Sequence, residues 1–226
     1  MVERPQILAI SDEPPRHKRR KYGRGVLSSI RYIVVHHGAA LGDGLPRIRA
    51  YARYHVESLG WPGIGYHFGV TKDGTIYRTN PLEVISYHVG GYTSRSVGVV
   101  LVGHYDVEDP PSEQMAAAKH LCAWLCSTLG LGPESVRGHR EFPGAHKTCP
   151  RLKISMASFR GGVRRILEGE EEPPAVKVIF EGRETRAILR EGRTYVPLRE
   201  LCDLLGLEVE WNRQRRAAIV GGRKEG

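Results

Sequence analysis

Two apolar runs along the chain predict buried strands of a central sheet. Residues 33–35 are three β-branched residues that lead directly into His36 and His37, and residues 97–103 are apolar at consecutive positions. Continuous runs of this length are typical of strands that are buried on both faces, where branched side chains pack well. Because neighbouring strand residues point to opposite faces, only one of His36 and His37 faces a given site.

Helical spacing of apolar residues, together with the usual terminal residues, predicts three helices. Proline suits the first helical position, serine the N-cap and glycine the end. These signals predict helices over residues 46–59, 112–129 and 155–167, with Ser112 as an N-cap. His55 falls on the inner face of the first helix and is interpreted as a buried structural histidine. Cys122 and Cys126 share the apolar face of the second helix and are interpreted as core thiols.

A β-hairpin is predicted between the first two helices. Residues 63–71 and 75–78 both have a strand pattern, and Lys-Asp-Gly separates them. Gly74 suits the positive φ that such a turn requires. Tyr66 and His67 are expected to alternate across the first strand, so that one faces the core and the other faces a site.

Composition divides the chain into four segments. Residues 1–24 are a polar and basic arm, 25–168 hold the predicted sheet and helices, 169–174 are an acidic, proline-rich linker, and 175–226 form a small β-rich module with one helix. The acidic run repels itself and the prolines stiffen it, as in a linker. The arm is interpreted as solvated, with residues 7–10 able to form a short strand. The alternative is an electrostatic anchor to phosphate or to a wall polymer.

Charge and cysteine content narrow the classes of function. The formal net charge of +9 over 226 residues favours an anionic partner such as nucleic acid, a membrane surface or a bacterial wall polymer. The four cysteines form no paired framework, which suits a reducing cytosol. No run of about 18 apolar residues is present, and the N-terminus lacks the pattern of a secretion signal. We therefore expect neither a membrane span nor a signal peptide.

Two histidines and one cysteine are candidate metal ligands. His36 ends a predicted central strand, while His139 and Cys149 lie ten positions apart on a later loop that can fold back. Catalytic zinc sites take imidazole and thiolate from three residues and keep one position for water. Such an ion lowers the pKa of its water and polarises a carbonyl, so a zinc hydrolase is one hypothesis. Tyr66 and Lys147 are candidates for stabilising an oxyanion and moving a proton.

Five motifs occur in a fixed order and carry a family resemblance. They are residues 33–37 (IVVHH), 63–68 (GIGYHF), 72–77 (KDGTIY), 96–103 (SVGVVLVG), and 138–141 (GHRE) followed by 147–150 (KTCP). Together they resemble the type 2 N-acetylmuramoyl-L-alanine amidases, a family that includes phage amidase-type lysozymes and peptidoglycan recognition proteins. The resemblance spans about residues 26–167. It implies a mixed α/β fold in which helices flank a central mixed β-sheet, with a zinc cleft on one face.

The resemblance also implies a metal centre. His36, His139 and Cys149 match the family's zinc ligands, so Zn²⁺ is the implied cofactor. The first histidine of the pair is the family's ligand, which leaves His37 a supporting or structural role. Family members that trim soluble wall fragments often have aspartate as the third ligand, and members that only recognise the wall lack the cysteine. Cys149 therefore favours a catalytic, wall-degrading enzyme.

Three further residues match functional positions of the family. Tyr66 and Lys147 match its catalytic tyrosine and lysine, and His88 matches a histidine that lines the substrate cleft in phage-type members. The implied reaction is hydrolysis of the amide between the lactyl group of N-acetylmuramic acid and L-alanine in peptidoglycan. Residues 41–44 match no family pattern that we recognise, which leaves that edge of the cleft undefined.

The expected biological setting is a phage or prophage endolysin. Such a lysin stays in the cytoplasm until it is released to the cell wall, which agrees with the absence of a signal peptide. Its expected partner is peptidoglycan, and we expect a monomer. Two other classes remain open: a module that binds peptidoglycan without cutting it, and a basic nucleic-acid binder or nuclease. The latter is disfavoured, because no nucleic-acid motif appears and aromatic residues are not interleaved with the arginines.

The tail resembles a second family. Residues 191–201 and 205–211 are similar to the copper amine oxidase N-terminal-like domain, which recurs as an appendage of bacterial envelope proteins. The motif implies no copper site. Anchoring to the wall and a purely stabilising role are equally compatible with it.

Overall fold

The computed structural model describes residues 1–11, 13–144, 148–150, 153–170, 175–190, 193–212 and 217–223. The chain folds as two compact units, Met1–Glu170 and Glu171–Gly226. Lys147, residues 171–174 of the predicted linker and the first two residues of the tail motif at residues 191–201 lie outside the described residues.

Over the described residues, the first unit is a six-stranded mixed sheet with three main helices. Its strands are β1 (Ile7–Ala9), β2 (Tyr32–His37), β3 (Phe68–Val70), β4 (Ile76–Arg78), β5 (Ser96–Leu101) and β6 (Val136–Gly138). Its helices are α1 (Gly44–Arg53), which a π-helical turn (Tyr54–Ser58) continues, α2 (Ser112–Leu129) and α3 (Met156–Glu168). The strand order is β1-β4-β3-β5-β2-β6, with β3 and β4 antiparallel and the other neighbours parallel. The expected mixed α/β fold is confirmed.

The two predicted central strands are parallel neighbours in the middle of the sheet. All six residues of β5 and five of the six in β2 are buried. Burial on both faces explains why both segments are continuous apolar runs. Ile33 and Val35 contact the core that α2 and α3 complete. Strand alternation therefore places Val34 and His36 on the opposite face.

Helices cover both faces of this sheet. Phe68 and Val70 belong to the core cluster on the α2 side, so Gly69 between them faces the other side. There Ile48 of α1 packs so closely that a Cβ on Gly69 would lie 2.9 Å from its Cδ1. α2 begins at Ser112 after Pro111, so Ser112 is the first helical residue and not the N-cap.

The two cysteines of α2 are core thiols, as predicted. Cys122 and Cys126 are fully buried in the cluster between the sheet and the helices. Burial raises the pKa of Cys126 to about 12 and raises the pKa of Cys122 as well. Neither thiol ionises at neutral pH, so both act as small apolar side chains.

The predicted hairpin is present, but its first strand is shorter than the sequence pattern suggests. β3 and β4 pair around a turn in which Gly74 has φ +85°. Residues 63–67 form a loop instead of a strand. The Asn80 side-chain amide donates to the carbonyl oxygens of Ile64 and Tyr66 at 2.9 and 2.6 Å, so a side chain takes acceptors that a neighbouring strand would use. The expected strand at Tyr66 and His67 is therefore wrong, but the expected division holds, because His67 is buried in the core and Tyr66 lines a cleft.

The N-terminal arm is largely exposed, and the short strand expected within residues 7–10 is present. The arm also makes contacts with the first unit that its polar composition did not indicate. Its residues 7–9 are β1, which pairs in parallel with β4. The Arg16 guanidinium donates to the Thr79 carbonyl oxygen at 3.2 Å, and the Tyr22 hydroxyl donates to the Gly63 carbonyl oxygen at 2.8 Å. These contacts join the arm to residues far along the chain.

The second unit is β-rich with one helix over its described residues. Its elements are β7 (Ala175–Phe180), β8 (Arg183–Arg190), β9 (Arg193–Tyr195), α4 (Leu198–Leu205), β10 (Leu207–Asn212) and β11 (Ala217–Arg223). β7, β8 and β9 form one antiparallel sheet, and β10 and β11 form a hairpin. Pro197 precedes α4 and Gly206 ends it at φ +69°. No helix in the described parts of either unit has the length and apolarity needed to cross a membrane.

Candidate metal centre and cleft

Parallel strand pairing brings two of the predicted ligands together. His36 lies at the end of β2, and His139 directly follows β6. β2 and β6 are parallel neighbours with Val35 opposite Gly138, so the residues that follow them meet at one edge of the sheet. The ring centroids of His36 and His139 are 4.8 Å apart.

Cys149 joins this pair from the following loop. Its Sγ lies 3.8 Å from His36 Nδ1, and the His37 backbone N–H donates to the same sulfur at 3.3 Å. The Arg140 backbone N–H donates to the Cys149 carbonyl oxygen at 2.6 Å, which ties the loop back to the residue after His139. One potential ligand atom from each of His36, His139 and Cys149 lies within 4.8 Å of the others.

A chain of hydrogen bonds orients His36. Its Nε2 lies 3.2 Å from His88 Nδ1, His88 Nε2 lies 3.2 Å from Ser96 Oγ, and Ser96 Oγ donates to the Tyr92 carbonyl oxygen at 2.7 Å. Since the Ser96 hydroxyl proton is donated to the Tyr92 carbonyl oxygen, Ser96 Oγ accepts a hydrogen bond from His88 Nε2–H. In a neutral ring the other nitrogen accepts, so His36 Nε2–H donates to His88 Nδ1. The His36 Nδ1 lone pair is thereby directed toward Cys149.

The protonation state of these rings suits metal binding. Burial, with the neighbouring imidazoles His88 and His139 as further causes, holds the pKa of His36 well below its ordinary value. Burial likewise holds the pKa of His88 well below the usual range. Neutral imidazole is the form that binds a metal ion, and a partner on the far ring nitrogen is typical of histidine ligands. Two imidazoles and one thiol fit a zinc-type ion with three protein ligands.

Tyr66 stands beside this group. Its ring centroid is 5.2 Å from that of His36, and its carbonyl oxygen is held by the Thr79 hydroxyl at 2.7 Å. Burial raises the pKa of Tyr66, and the neighbouring Cys149 raises it further. The phenol therefore keeps its proton at neutral pH and is a hydrogen-bond donor there. Lys147 lies outside the described residues, so its catalytic role stays a prediction.

A cleft with two adjoining compartments lies over these residues. The histidine compartment has a volume of about 430 Å³ and includes the three candidate ligands and Tyr66. The glycine compartment has a volume of about 550 Å³ and includes Gly90, Gly91 and Gly144. Four residues line both compartments: Trp61, Tyr87, His88 and His139.

Two of these shared residues are absent from the site predicted from the sequence. Trp61 lies two residues before the motif at residues 63–68, and Tyr87 directly precedes His88, so both lie close to recognised positions. His88 lines both compartments, but it is only 7% exposed and is hydrogen-bonded to the candidate ligand His36. Its role toward a substrate stays a prediction.

Comparison with known proteins places this site in a family. The model of the N-acetylmuramoyl-L-alanine amidase family matches residues 27–152, more than half of the chain. The chain belongs to this family. A model of the copper amine oxidase N-terminal domain matches residues 179–225, in agreement with the resemblance of the tail.

Relatives of the amidase-family domain include recognition proteins and endolysins. Peptidoglycan-recognition protein LB of Drosophila melanogaster is 35% identical over 135 residues, which are 57% of this chain and 58% of that protein. The endolysin of Klebsiella phage KP32 is 36% identical over 127 residues, 54% of this chain and 81% of the endolysin. The solved structure of a Drosophila PGRP-LB mutant in complex with tracheal cytotoxin has a TM-score of 0.56 at 29% identity, covering 67% of this chain and 91% of that one. The chain thus spans a little over half the length of the first relative.

Two other histidines of the amidase-family domain are structural, as predicted. His67 is fully buried; its Nε2 lies 2.9 Å from the Val84 carbonyl oxygen and its Nδ1 accepts from the Gly98 N–H at 3.0 Å. His55 Nδ1 accepts from the Gly65 N–H at 3.1 Å. Burial lowers the pKa of each ring to about 4. Both rings are neutral in the fold at physiological pH.

We expect these two rings to make the fold sensitive to acid. A folded pKa of about 4 for His67 lies below the unfolded value of about 6.5, so between these pH values the unfolded chain binds a proton that the folded chain does not. Stability is therefore complete above about pH 6.5 and falls by about 3 kcal/mol per ring toward pH 4. Urea unfolding at about pH 7 and about pH 4.5 measures the loss. The His67→Gln variant should show a smaller loss; an equal loss in both proteins contradicts the assignment.

The close approach of Gly98 to His88 gives a second prediction. A Cβ on Gly98 would lie 2.7 Å from His88 Cγ, so Gly98→Ala forces the ring away from its partners. We expect a loss of about 1–3 kcal/mol in urea unfolding, as for other overpacked sites, together with weaker metal binding by isothermal titration. Gly132→Ala is the matched control, because a Cβ there meets nothing within 4 Å. Equal stability and metal affinity of the two variants would refute the positioning of His88 by Gly98.

Proposed function

We propose that the protein is a zinc-dependent N-acetylmuramoyl-L-alanine amidase that hydrolyses the bond between the lactyl group and L-alanine of peptidoglycan. The observation that carries the proposal is the convergence of His36, His139 and Cys149 within 4.8 Å in the cleft of an amidase-family domain. Two imidazoles and a thiolate are a donor set that zinc accepts while one position stays open for water. The proposed setting is a phage or prophage endolysin, which the similarity to a phage endolysin supports.

Different residues of the site are proposed to have different roles in the reaction. Bound zinc would supply water of lowered pKa and polarise the substrate carbonyl. His88 and Ser96 hold the ring of His36 in one orientation. Tyr66, which keeps its proton, donates a hydrogen bond to the carbonyl oxygen as negative charge develops on it. Lys147 is proposed as a second group at this position, on its match to the family alone.

The proposed reaction is hydrolysis of one amide bond by one water molecule. A C–O bond forms between the water oxygen and the lactyl carbonyl carbon, and the C–N bond to L-alanine breaks. One water proton ends on the alanine nitrogen, so that the products are the lactyl carboxylic acid and a free amino terminus. Negative charge develops on the carbonyl oxygen only in the transition state, between substrate and products. Hydrogen-bond donors in the cleft that stabilise this charge lower the barrier, because they bind the transition state more strongly than the substrate.

The second candidate is a recognition module that binds peptidoglycan without cutting it. The specific observation in its favour is the similarity to peptidoglycan-recognition protein LB, of which one solved mutant binds tracheal cytotoxin. Cys149 beside His36, at 3.8 Å, argues for the enzyme, because a pure binding surface needs no third ligand there.

Purified protein incubated with bacterial sacculi distinguishes these proposals. New amino-terminal alanine and new reducing sugar are measured with and without a chelator, and again after zinc is restored. Alanine termini that depend on zinc support the amidase. Reducing sugar without alanine rejects the bond assignment, and sedimentation with sacculi without either product supports the recognition module.

A further inference from the structure

An aromatic wall stands at the border of the two compartments. The rings of Trp61 and Tyr87 are 5.7 Å apart at 80°, and Trp61 stacks on His55 at 4.8 Å and 22°. Tyr87 is 40% exposed, so part of its ring faces the cleft. We call Trp61 and Tyr87 the aromatic wall.

The wall packs tightly on the loop that carries Tyr66. A Cβ on Gly65 would lie 2.7 Å from Trp61 Cζ3 and 2.9 Å from the Tyr87 carbonyl oxygen. The backbone N–H of Trp61 donates a hydrogen bond to the His55 carbonyl oxygen at 2.8 Å. Because both residues of the wall approach Gly65, which directly precedes Tyr66, the position of the wall is fixed relative to Tyr66.

Residues of the N-terminal arm contact the aromatic wall and the loop that carries it. Tyr22 contacts Tyr87 edge to face, with ring centroids 4.9 Å apart at 89°, and its hydroxyl donates to the Gly63 carbonyl oxygen at 2.8 Å. The Arg20 guanidinium donates to the Gly60 carbonyl oxygen at 2.5 Å, on the other side of Trp61. The arm therefore holds the loop at both ends of the segment that carries the tryptophan.

The two compartments differ in a way that matches the two halves of the proposed substrate. The bond to be cut joins a sugar derivative to a peptide. Trp61 and Tyr87 line both compartments. The histidine compartment adds the rings of Tyr51, Tyr54 and Tyr66, whereas the glycine compartment adds Phe142 and the bare backbone of Gly90 and Gly91. An extended peptide can bond to bare backbone. A sugar ring has an apolar C–H face and polar edges, which suit the apolar body and polar tip of tyrosine and tryptophan.

We infer that the aromatic wall is the subsite for a sugar ring of the glycan strand, and that Tyr22 is a positioning residue for it. The inference rests on the proposed function, since it takes the glycan to be that of peptidoglycan. Its occupant is the glycan and not the peptide stem. The N-terminal arm thereby becomes part of the substrate cleft of the amidase-family domain.

Tryptophan fluorescence of the full chain tests the wall without requiring catalysis. A peptide-free oligosaccharide of alternating N-acetylglucosamine and N-acetylmuramic acid is titrated into the protein. We expect a saturable change that Trp61→Phe abolishes and Trp124→Phe retains, since Trp124 lies on α2 beneath the Arg4 guanidinium. A response to the free stem peptide but not to the glycan overturns the inference, as does a glycan response that survives in Trp61→Phe.

Variants of Tyr22 test its positioning role. Tyr22→Leu should raise the Kd for the glycan by about threefold to tenfold, the factor that one aromatic contact supplies. In hydrolysis it should raise the KM of a glycan-bearing muropeptide with kcat unchanged. Tyr22→Phe keeps the ring contact with Tyr87 and should restore most of the affinity. An unchanged Kd in Tyr22→Leu, or a fall in kcat with constant KM, rejects the role.

The two proposals can fail separately. Zinc-dependent release of alanine from sacculi without any glycan effect on Trp61 rejects the glycan wall and leaves the amidase intact. A glycan response that depends on Trp61 in a protein that releases no alanine supports the wall and rejects catalysis.

Discussion

Replacement of Cys149 by serine is expected to remove the metal and the hydrolytic activity together. A serine hydroxyl stays protonated at neutral pH and is a poor zinc ligand, which leaves two imidazoles to hold the ion. Loss of a direct ligand should exceed the roughly 10–100-fold loss of affinity that follows loss of a supporting partner. Zinc content measured by mass spectrometry should fall from about one ion per chain to a trace, and release of alanine from sacculi should stop.

We expect the Cys149→Ser variant to fold, so that a loss of zinc or activity can be assigned to the missing ligand. The His37 N–H, which donates to the Cys149 sulfur at 3.3 Å, can donate to the serine oxygen instead. Cys126→Ser is the matched control, because Cys126 is a buried thiol of α2 outside the cleft and should keep both zinc and activity. Full zinc content in Cys149→Ser, or equal loss in both variants, contradicts the ligand assignment.

The ligand group could be predicted from the sequence because local patterns carry it. The apolar run before His36 identifies a central strand, and strand alternation allows only one of His36 and His37 to face the cleft. The family resemblance, in which the first histidine of the pair is the ligand, selects His36. The family motifs then supply His139 and Cys149. The structure adds the reason these residues meet: β6 lies beside β2 in parallel, a pairing between segments about a hundred residues apart in sequence.

The parts that sequence reasoning missed are contacts without a local pattern. Ser96 reaches His36 only through His88, and nothing in the spacing of these residues indicates a hydrogen bond. Tyr22 contacts Tyr87 across 64 intervening residues, so the basic and polar composition of the arm does not indicate that it packs beside a cleft. Both contacts arise from tertiary packing, which the local sequence pattern of either segment does not encode.

The shortened hairpin shows the opposite case, in which a local strand pattern is present but long-range hydrogen bonds prevent the strand from forming. Residues 63–67 alternate glycine and larger residues as an edge strand can. Asn80 takes the carbonyl oxygens of Ile64 and Tyr66, and the Tyr22 hydroxyl takes that of Gly63. With these acceptors used by side chains, no strand ladder forms there, and the loop presents Tyr66 to the cleft.

Replacement of Tyr66 by phenylalanine is expected to lower kcat by about 10²–10³, the usual effect of removing one donor to an oxyanion. The phenol stands with its ring 5.2 Å from that of His36 and keeps its proton, because burial raises its pKa. It therefore acts as a donor and not as a base. Zinc content and the KM for muropeptide should change little, since the hydroxyl is needed chiefly when charge develops on the carbonyl oxygen.

The pH dependence of this variant separates the donor role from a general-base role. Loss of a donor lowers kcat by the same factor at every pH near neutrality, whereas loss of a titrating base changes the shape of the profile. Tyr77→Phe is the matched control, because Tyr77 lies on β4 outside the cleft and should retain full activity. A kcat in Tyr66→Phe equal to that of Tyr77→Phe, with both proteins loaded with zinc, would remove Tyr66 from the mechanism. A rate that falls only on one limb of the profile would instead make Tyr66 a proton acceptor, against the direction of its pKa.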